Sequence, residues 1–350
     1  MGYNFAIVGT GAVGEEMVEC LRESKIWPQI NDLKILARST RDQVIAREKF
    51  KVREIKPEKF DGVDIALFAG TEGEKGAAIQ YAPEAIKRDC IVIDNGADYR
   101  MDKKVPLVIP EINPEDLKWH TGLIANPNCS TIIMLMALAP IHRKVKIKRI
   151  IVSTYQAVSG TGNEAIKELI EQSLAVLRGE EKIIPAVYPI QIAFNLFPHI
   201  GTFKEYDFTT EEWKMIKETH KILHDDSIPI TATTVRVPIL NGHSESIYIE
   251  TEVIISPTEV RELLKNSPGV CVIDDPNPTP SDPNQRTYPM PLDASGENSV
   301  LVGRIRKDPS IPNGLHLWVV GDNLRKGAAL NAVQIAEELI NRNLLNLLKL

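Results

Sequence analysis

Residues 123–140 read LIANPNCSTIIMLMALAP, with Cys129 set directly after Asn-Pro-Asn and directly before Ser-Thr and a long apolar run. A core cysteine needs no such preface. A cysteine at the first turn of a helix does, because the free N–H groups and the dipole there favour a thiolate. Asn-Pro-Asn then acts as a rigid approach, and STIIMLMALAP as the buried helix behind the thiol. A second chemical feature lies at the N-terminus, where IVGTGAVGEEM places Gly9, Gly11 and Gly14 in GxGxxG spacing between a strand-like run and a helix-like one. Glycines in that position allow a tight turn and close backbone approach, and the helix N-terminus can hold a pyrophosphate. The loop of Gly9, Thr10, Gly11, Ala12, Val13 and Gly14 is therefore a candidate dinucleotide cradle.

The end of the second strand-like run bears on which dinucleotide. A site for NAD usually carries Asp or Glu there for the ribose 2′-hydroxyl, whereas NADP calls for cations and hydroxyls. The sequence reads LARSTRDQ, which offers Arg38, Ser39, Thr40 and Arg41 and no acid at the strand end, so NADP is favoured. A nicotinamide cofactor beside a nucleophilic cysteine interconverts an aldehyde and an acyl derivative. Thiolate adds to the aldehyde, hydride leaves, and a second nucleophile captures the thioester. Such chemistry needs a proton-shuttling base, donors for an oxyanion and cations for anionic substrate groups. Of the seven histidines, His243 in TTVRVPILNGHSESIYIETE stands out, because it follows a strand carrying Arg236 and a turn-like Asn-Gly. A lone histidine is more often structural than catalytic, so the residues alone leave His243 as a candidate.

The elements that must position these groups fall into two textures. Up to about residue 125, apolar runs at 4–9, 33–38, 63–70, 90–95 and 122–126 read as buried strands. They alternate with helical candidates such as AVGEEMVECLRES and EKGAAIQYAPEAIKRD, the pattern of a doubly wound parallel sheet. After Cys129, RIIVSTYQAVSG, ITATTVRVPIL, SIYIETEVII and HLWVVGDNL read as β-branched strands separated by longer helices, which predicts a second α+β domain. The proline-rich stretch 274–291 predicts an ordered surface loop, and the last 25 residues have a helical apolar period.

A chain of 350 residues is long for one core, so two domains are expected. The net charge of −6, without basic clusters, gives no electrostatic support for a nucleic-acid or anionic-membrane partner. Four cysteines lie far apart with no CxxC pair, which argues against a disulfide framework and a zinc site and fits a reducing cytosol. No apolar run is long enough for a membrane span and no targeting signal opens the chain, so a soluble cytoplasmic protein is expected.

Taken together, the N-terminal glycine loop, NPNCST, RIIVSTYQAVSG, EEWKMIKET, RVPILNGHSESIYIET, VGRIRKD and WVVGDNLRKGAALNAVQIAE resemble the aspartate-β-semialdehyde dehydrogenase family, in its bacterial-type branch, nearly end to end. The resemblance implies Cys129 as nucleophile, Gln156 as the residue orienting thiol and acyl group, and His243 as general acid/base. It implies Arg236 at the substrate α-carboxylate, Glu211 and Lys214 at the amino group and phosphate, and Arg100 and Asn128 at the phosphate site. Ser159, Gly160 and Asn323 match the residues around the nicotinamide. The implied reaction is the reversible, NADPH-dependent conversion of L-4-aspartyl phosphate to L-aspartate 4-semialdehyde and phosphate, on the route to lysine, threonine and methionine. The implied assembly is a homodimer, with a homotetramer left open. The implied architecture is a Rossmann-type NADP-binding domain of residues 1–128 plus 329–350, and an α+β catalytic and dimerisation domain of residues 129–328. Two rivals stay open: a reductase of another acyl phosphate or thioester, which would have no use for Glu211 beside Arg236, and a silent relative that keeps only the fold. The glycine loop departs from the family by being one residue shorter than its usual G-x-x-G-x-x-G.

Overall fold

The computed structural model describes residues 2–70, 76–180, 182–275 and 287–345. The chain divides into two units, Met1–Asn128 with Gly327–Leu350, and Cys129–Lys326. In the first unit the apolar run FAIV lies in β1 (Tyr3–Val8), a central strand whose residues Phe5 to Val8 are all buried. It leads through the glycine loop into α1 (Ala12–Glu23), which buries Met17, Val18, Cys20 and Leu21 on one face. β2 (Ile30–Ala37), β3 (Arg41–Ile45), β4 (Glu48–Glu54), β5 (Ile65–Phe68), α2 (Ala77–Ile86), β6 (Ile91–Asp94) and β7 (Leu123–Ala125) follow. The sheet order is β3-β4-β2-β1-β5-β6-β7, parallel except for the β3–β4 hairpin. β1 therefore sits at the point where the winding reverses, and ligands of doubly wound sheets bind outside the strand ends at such a point.

The β3–β4 hairpin is an element that the sequence pattern alone did not mark, and Arg41 is its first residue. Ile45 pairs with Glu48, so the connection is the two residues Ala46 and Arg47, both at positive φ (51° and 63°). Two-residue hairpin turns of this hand are normally written Asn-Gly, and Ala-Arg gives no such signal. Tertiary contacts hold the turn instead. Arg22 Nη1 donates to Ala46 O at 2.9 Å, and Ala46 N–H donates to Glu15 Oε1 at 3.3 Å.

The C-terminal helix (Leu330–Asn341) belongs to the same unit. Its Ala332, Val333, Ile335, Ala336, Leu339 and Ile340 share one core with Met17, Leu21, Ile35 and Ile93. Buried Asn331 sets its register, donating from Nδ2 to Val108 O at 2.9 Å and to Asn126 Oδ1 at 2.7 Å.

The second unit starts with α3 (Cys129–Val145), a helix buried on nearly every side. Then come β8 (Ile147–Gln156), α4 (Asn163–Leu177), α5 (Thr210–Leu223), β9 (Ile230–Arg236), β10 (His243–Thr251), α6 (Pro257–Lys265), β11 (Val270–Val272), α7 (Pro291–Ala294), β12 (Val300–Lys307) and β13 (Gly314–Gly321). These strands form a mixed sheet in the order β11-β12-β13-β10-β8-β9, with α3, α5 and α6 packed against it. β11 and β12 are strands that the sequence pattern alone did not mark. Of the proline-rich stretch, residues 276–286 lie outside the described residues; its end runs into α7, with Pro291 at the first turn. Among the described residues no helix is long and apolar enough to cross a membrane.

Leu339 is fully buried in the core of the first unit. Leu339→Ala should therefore lower unfolding stability by about 2–5 kcal/mol, the range for a buried Leu truncation. In urea titration this appears as a lower midpoint with the slope unchanged. A loss below about 0.5 kcal/mol, typical of surface positions, would show that the helix is not part of that core.

Candidate active site

Register explains how distant residues meet in the second unit. β8 and β9 are parallel with Gln156 opposite Arg236, so both side chains sit at the C-terminal ends of these strands. β10 runs antiparallel to β8 with Ser244 opposite Tyr155, which brings its first residue, His243, to that same end. β13 is antiparallel to β10 with Gly321 opposite His243, so Asp322 and Asn323 also emerge there. α3 begins at Cys129 beside them. The Cys129 Sγ lies 3.4 Å from His243 Nε2, and Cys129 is only partly buried while His243 is fully so.

The ring of His243 is oriented from behind. The Ala157 N–H donates to Nδ1 at 3.1 Å, so a neutral imidazole must carry its proton on Nε2, the nitrogen that faces the sulfur. Burial, and then the Arg236 guanidinium, lower the His243 pKa to about 3, against a smaller opposing pull from Glu211. The imidazole is thus neutral at ordinary pH and presents an Nε2–H donor to Sγ. The Ala157 carbonyl does the complementary task for the cation: Arg236 Nη1 donates to it at 2.5 Å. The Arg236 backbone is further clamped to Phe197, with N···O distances of 2.9 and 3.1 Å.

The acidic partner comes from α5. Thr209 caps it in a reciprocal box with Glu212, and Glu212 also accepts from Thr234 N–H at 3.0 Å, which locks the helix start to β9. That fixes Glu211, which accepts from Gln156 Nε2 at 3.1 Å and pairs with Lys214 at 3.5 Å across one turn. Gln156 is held at its other end by the Thr154 hydroxyl, donating to Oε1 at 3.1 Å. The fold therefore brings together Cys129, His243, Gln156, Arg236, Glu211 and Lys214. Gly160 belongs with them. A Cβ there would lie 3.1 Å from Arg236 Nη1 and 3.3 Å from His243 Cε1 and Nε2, so glycine leaves room for both side chains.

Ser159 and Asn323 are buried and bonded to each other, with Asn323 Nδ2 donating to Ser159 Oγ at 2.9 Å. Arg100 and Asn128 lie in the first unit; both are buried, and Arg100 Nη2 donates to Asn95 O at 2.7 Å.

The glycine loop fits a dinucleotide. Gly9 has φ +110°, and a Cβ on Gly14 would overlap the Gly9 carbonyl oxygen. Gly11 caps α1 with no side-chain bond and nothing within 4 Å of where its Cβ would be. The helix therefore presents uncapped N–H groups through open space, the requirement for holding a pyrophosphate. At the end of β2, Arg38, Ser39 and Thr40 are exposed, and Arg38 makes no hydrogen bond or ion pair among the described residues. Thr40 Oγ1 accepts from Glu54 N–H at 3.0 Å. Sequence reasoning did not assign Arg41 a contact; its Nη2 donates to Thr10 Oγ1 at 2.7 Å and its Nη1 to Ser39 O at 3.1 Å, bracing the loop against the β2 end.

A doubly wound unit with an open glycine cradle, and a mixed-sheet unit with a thiol facing an imidazole, define a semialdehyde dehydrogenase. Family profiles agree: "Semialdehyde dehydrogenase, NAD binding domain" matches residues 4–120 and "Semialdehyde dehydrogenase, dimerisation domain" matches residues 138–326. The chain is 49% identical to the aspartate-semialdehyde dehydrogenase of Bacillus subtilis, over 98% of this chain and 99% of the relative. It is also 49% identical to that of Aquifex aeolicus, over 99% and 100%. The crystal structure of aspartate semialdehyde dehydrogenase II from Vibrio cholerae, complexed with ASA, superposes with a TM-score of 0.89 at 40% identity, covering 97% of this chain and 99% of that one. The chain belongs to the aspartate-semialdehyde dehydrogenase family.

One buried group has no place in this cluster. Glu245 is fully buried on β10, and neither carboxyl oxygen has a hydrogen-bond partner among the described residues. Its cross-strand neighbours are Thr154 and Val319, and the titratable group on its own face of β10 is His243. Burial alone drives its pKa well above the ordinary carboxylate value of 4.5, so the folded chain keeps Glu245 protonated. The unfolded chain releases that proton once pH exceeds about 4.5, so the folded state loses stability relative to the unfolded one as pH rises. Each pH unit in this window is worth about 1.4 kcal/mol. Glu245→Gln should remove the dependence, so the thermal midpoint of the variant should gain on the parent progressively from about pH 5 to about pH 8. A difference constant across that range would mean that Glu245 is ionised when folded.

Proposed function

We propose that the chain catalyses the reversible, NADPH-dependent reductive dephosphorylation of L-4-aspartyl phosphate to L-aspartate 4-semialdehyde and phosphate, through a thioester on Cys129. The observation that carries this reading is the Cys129–His243 contact at 3.4 Å, with Arg236 and the Glu211–Lys214 pair gathered at the same sheet end. A substrate with an α-carboxylate, an α-amino group and an anionic leaving group asks for that combination of charges. Glu211 disfavours rivals that lack an amino group, and an intact cysteine–histidine centre disfavours a silent relative.

In the reducing direction the Cys129 thiolate attacks the acyl carbon. The C–S bond forms as the C–O bond to phosphate breaks, and phosphate leaves with the electron pair. Arg236 holds the α-carboxylate, Glu211 the ammonium and Lys214 the leaving phosphate, with Arg100 and Asn128 assigned to the phosphate as well. NADPH, when bound, supplies hydride to the thioester carbon. The resulting oxyanion accepts a hydrogen bond from His243 Nε2–H; as it collapses, the C–S bond breaks, the aldehyde leaves and the thiolate is restored. Oxidation of the aldehyde retraces these steps. His243 acts here as a fixed donor. Full proton transfer would require a doubly protonated ring, which the Ala157 N–H facing Nδ1 disfavours.

Arg38, Ser39 and Thr40 are assigned to the adenosine 2′-phosphate, Gly9 to Gly14 to the pyrophosphate, and Ser159, Gly160 and Asn323 to the nicotinamide. The working state is read as a cytoplasmic homodimer through the second unit, whose matching profile is described as a dimerisation domain.

The direct test is phosphate-dependent reduction of NADP with aspartate semialdehyde, and no turnover would sink the reading. Cys129→Ser should abolish turnover while NADP still binds, because a serine hydroxyl is a far poorer nucleophile than a thiolate. Retained activity would exclude the covalent route. Arg38→Ala should raise the Michaelis constant for NADP roughly 10- to 150-fold, the worth of one charge-assisted bond, and leave that for NAD nearly unchanged. Equal increases in both would assign Arg38 to the loop or the adenine instead.

A further inference from the structure

Asn241 lies two residues before His243, in the turn that leads into β10, and bonds to three other segments of the second unit. Its Nδ2 donates to Asp322 Oδ2 at 2.7 Å and to Ser295 Oγ at 3.0 Å, and its Oδ1 accepts from Ser159 Oγ at 3.0 Å. Asp322 is buried. It also accepts from the N–H groups of Gly296 (2.7 Å), Leu324 (2.8 Å) and Arg325 (3.0 Å), so it is a fixed acceptor for its whole surroundings.

From the sequence of these bonds we infer that Asn241 is a positioning residue: anchored on Asp322, it sets the direction of the Ser159–Asn323 pair and holds the turn that presents His243. The polarity follows from donor and acceptor chemistry. A carboxylate can only accept, so the Asn241 amide must point Nδ2 at Asp322 and Oδ1 at Ser159. Ser159 then has its single O–H nearer to Asn241 Oδ1 (3.0 Å) than to Asn323 Oδ1 (3.2 Å), and it accepts from Asn323 Nδ2 at 2.9 Å. Asn323 is left with Oδ1 free to accept from the Gly242 N–H at 3.0 Å, directly before His243. The chain of donors runs Asn323, Ser159, Asn241, Asp322 in one direction and closes on the His243 turn. Reversing the Asn241 amide would put its oxygen against Asp322 and its NH2 against Ser159, whose O–H would have to turn to Asn323 Oδ1, 3.2 Å away. Asn241 is partly exposed where Ser159, Asn323 and Asp322 are buried, so it can be changed without opening a cavity.

This inference rests on the proposed reaction, so parental turnover of aspartate semialdehyde, phosphate and NADP is measured first, and its absence would defeat that reading rather than this one. The diagnostic variant is Asn241→Asp. At low pH the introduced carboxyl shares a proton with Asp322 and restores the donor. As pH rises, two like charges face each other across the former bond and push the turn away. From about pH 5.5 to about pH 9, kcat of the variant relative to the parent should fall at least roughly 10-fold, part of the roughly 10²-fold that a fully misplaced catalytic group can cost. KM for aspartate semialdehyde should stay within about twofold, because Arg236 and Glu211 are held by Ala157, Phe197 and Gln156 and not by this chain. Asn241→Ala should lower kcat by a similar factor at every pH, again with KM for the aldehyde unchanged; it carries the test alone if the aspartate variant does not fold. A pH-independent kcat ratio in a folded Asn241→Asp, or parental kcat in Asn241→Ala, overturns the inference.

Discussion

The peptide groups of Ala157 govern the geometry of the centre. The N–H fixes the imidazole of His243 from one side and the carbonyl fixes the guanidinium of Arg236 from the other. One rigid residue at the end of β8 thus sets both the nitrogen that faces the thiol and the cation that lies beside it. The same contact forbids the ring a second proton, which agrees with the low pKa that burial and Arg236 impose on it. Gly160 is small because these two side chains converge on it, and Gln156, opposite Arg236 in the sheet, donates to Glu211.

Such a centre is rigid because its polar groups are buried and mostly paired. Thr154, Gln156, Glu211 and Lys214 form one continuous chain, and Ser159, Asn241, Asp322 and Asn323 form another. Buried networks of this kind specify one geometry when every member is satisfied. Glu245 is an exception among the described residues. A buried carboxyl without a partner is destabilising at neutral pH, and proteins concentrate such violations near functional sites. It lies on the strand that begins with His243, on the same face.

The first unit follows another logic. In the proposed reading its ligand-facing groups are the backbone N–H groups at an uncapped helix start, and its specificity groups are exposed side chains at a strand end. Rigidity there comes from apolar packing and from bracing contacts such as Arg41 to Thr10 and Asn331 to Asn126. A cradle made of backbone accepts any dinucleotide pyrophosphate. In that same reading, discrimination is left to a few charges that water screens.

The sequence alone determined what local chemistry can write. GTGAVG between an apolar strand and a helix marks a βα turn wherever it occurs, because glycine spacing and apolar period are local properties. Asn-Pro-Asn-Cys before an apolar run likewise marks a helix beginning at a thiol, and the structure starts that helix at Cys129. The resemblance, more than the pattern, singled out Gln156, Glu211 and Lys214. The β3–β4 hairpin was invisible because its turn, Ala46-Arg47, is held at positive φ by Arg22 and Glu15 and has no turn residues of its own. Only tertiary structure decided that the Ala157 peptide orients His243, that Asn241 lies in line between Ser159 and Asp322, and that Glu245 is sealed from water. Each depends on how segments distant in the chain are brought together, and a one-residue slip in the register of β10 would turn His243 and Glu245 to the other face.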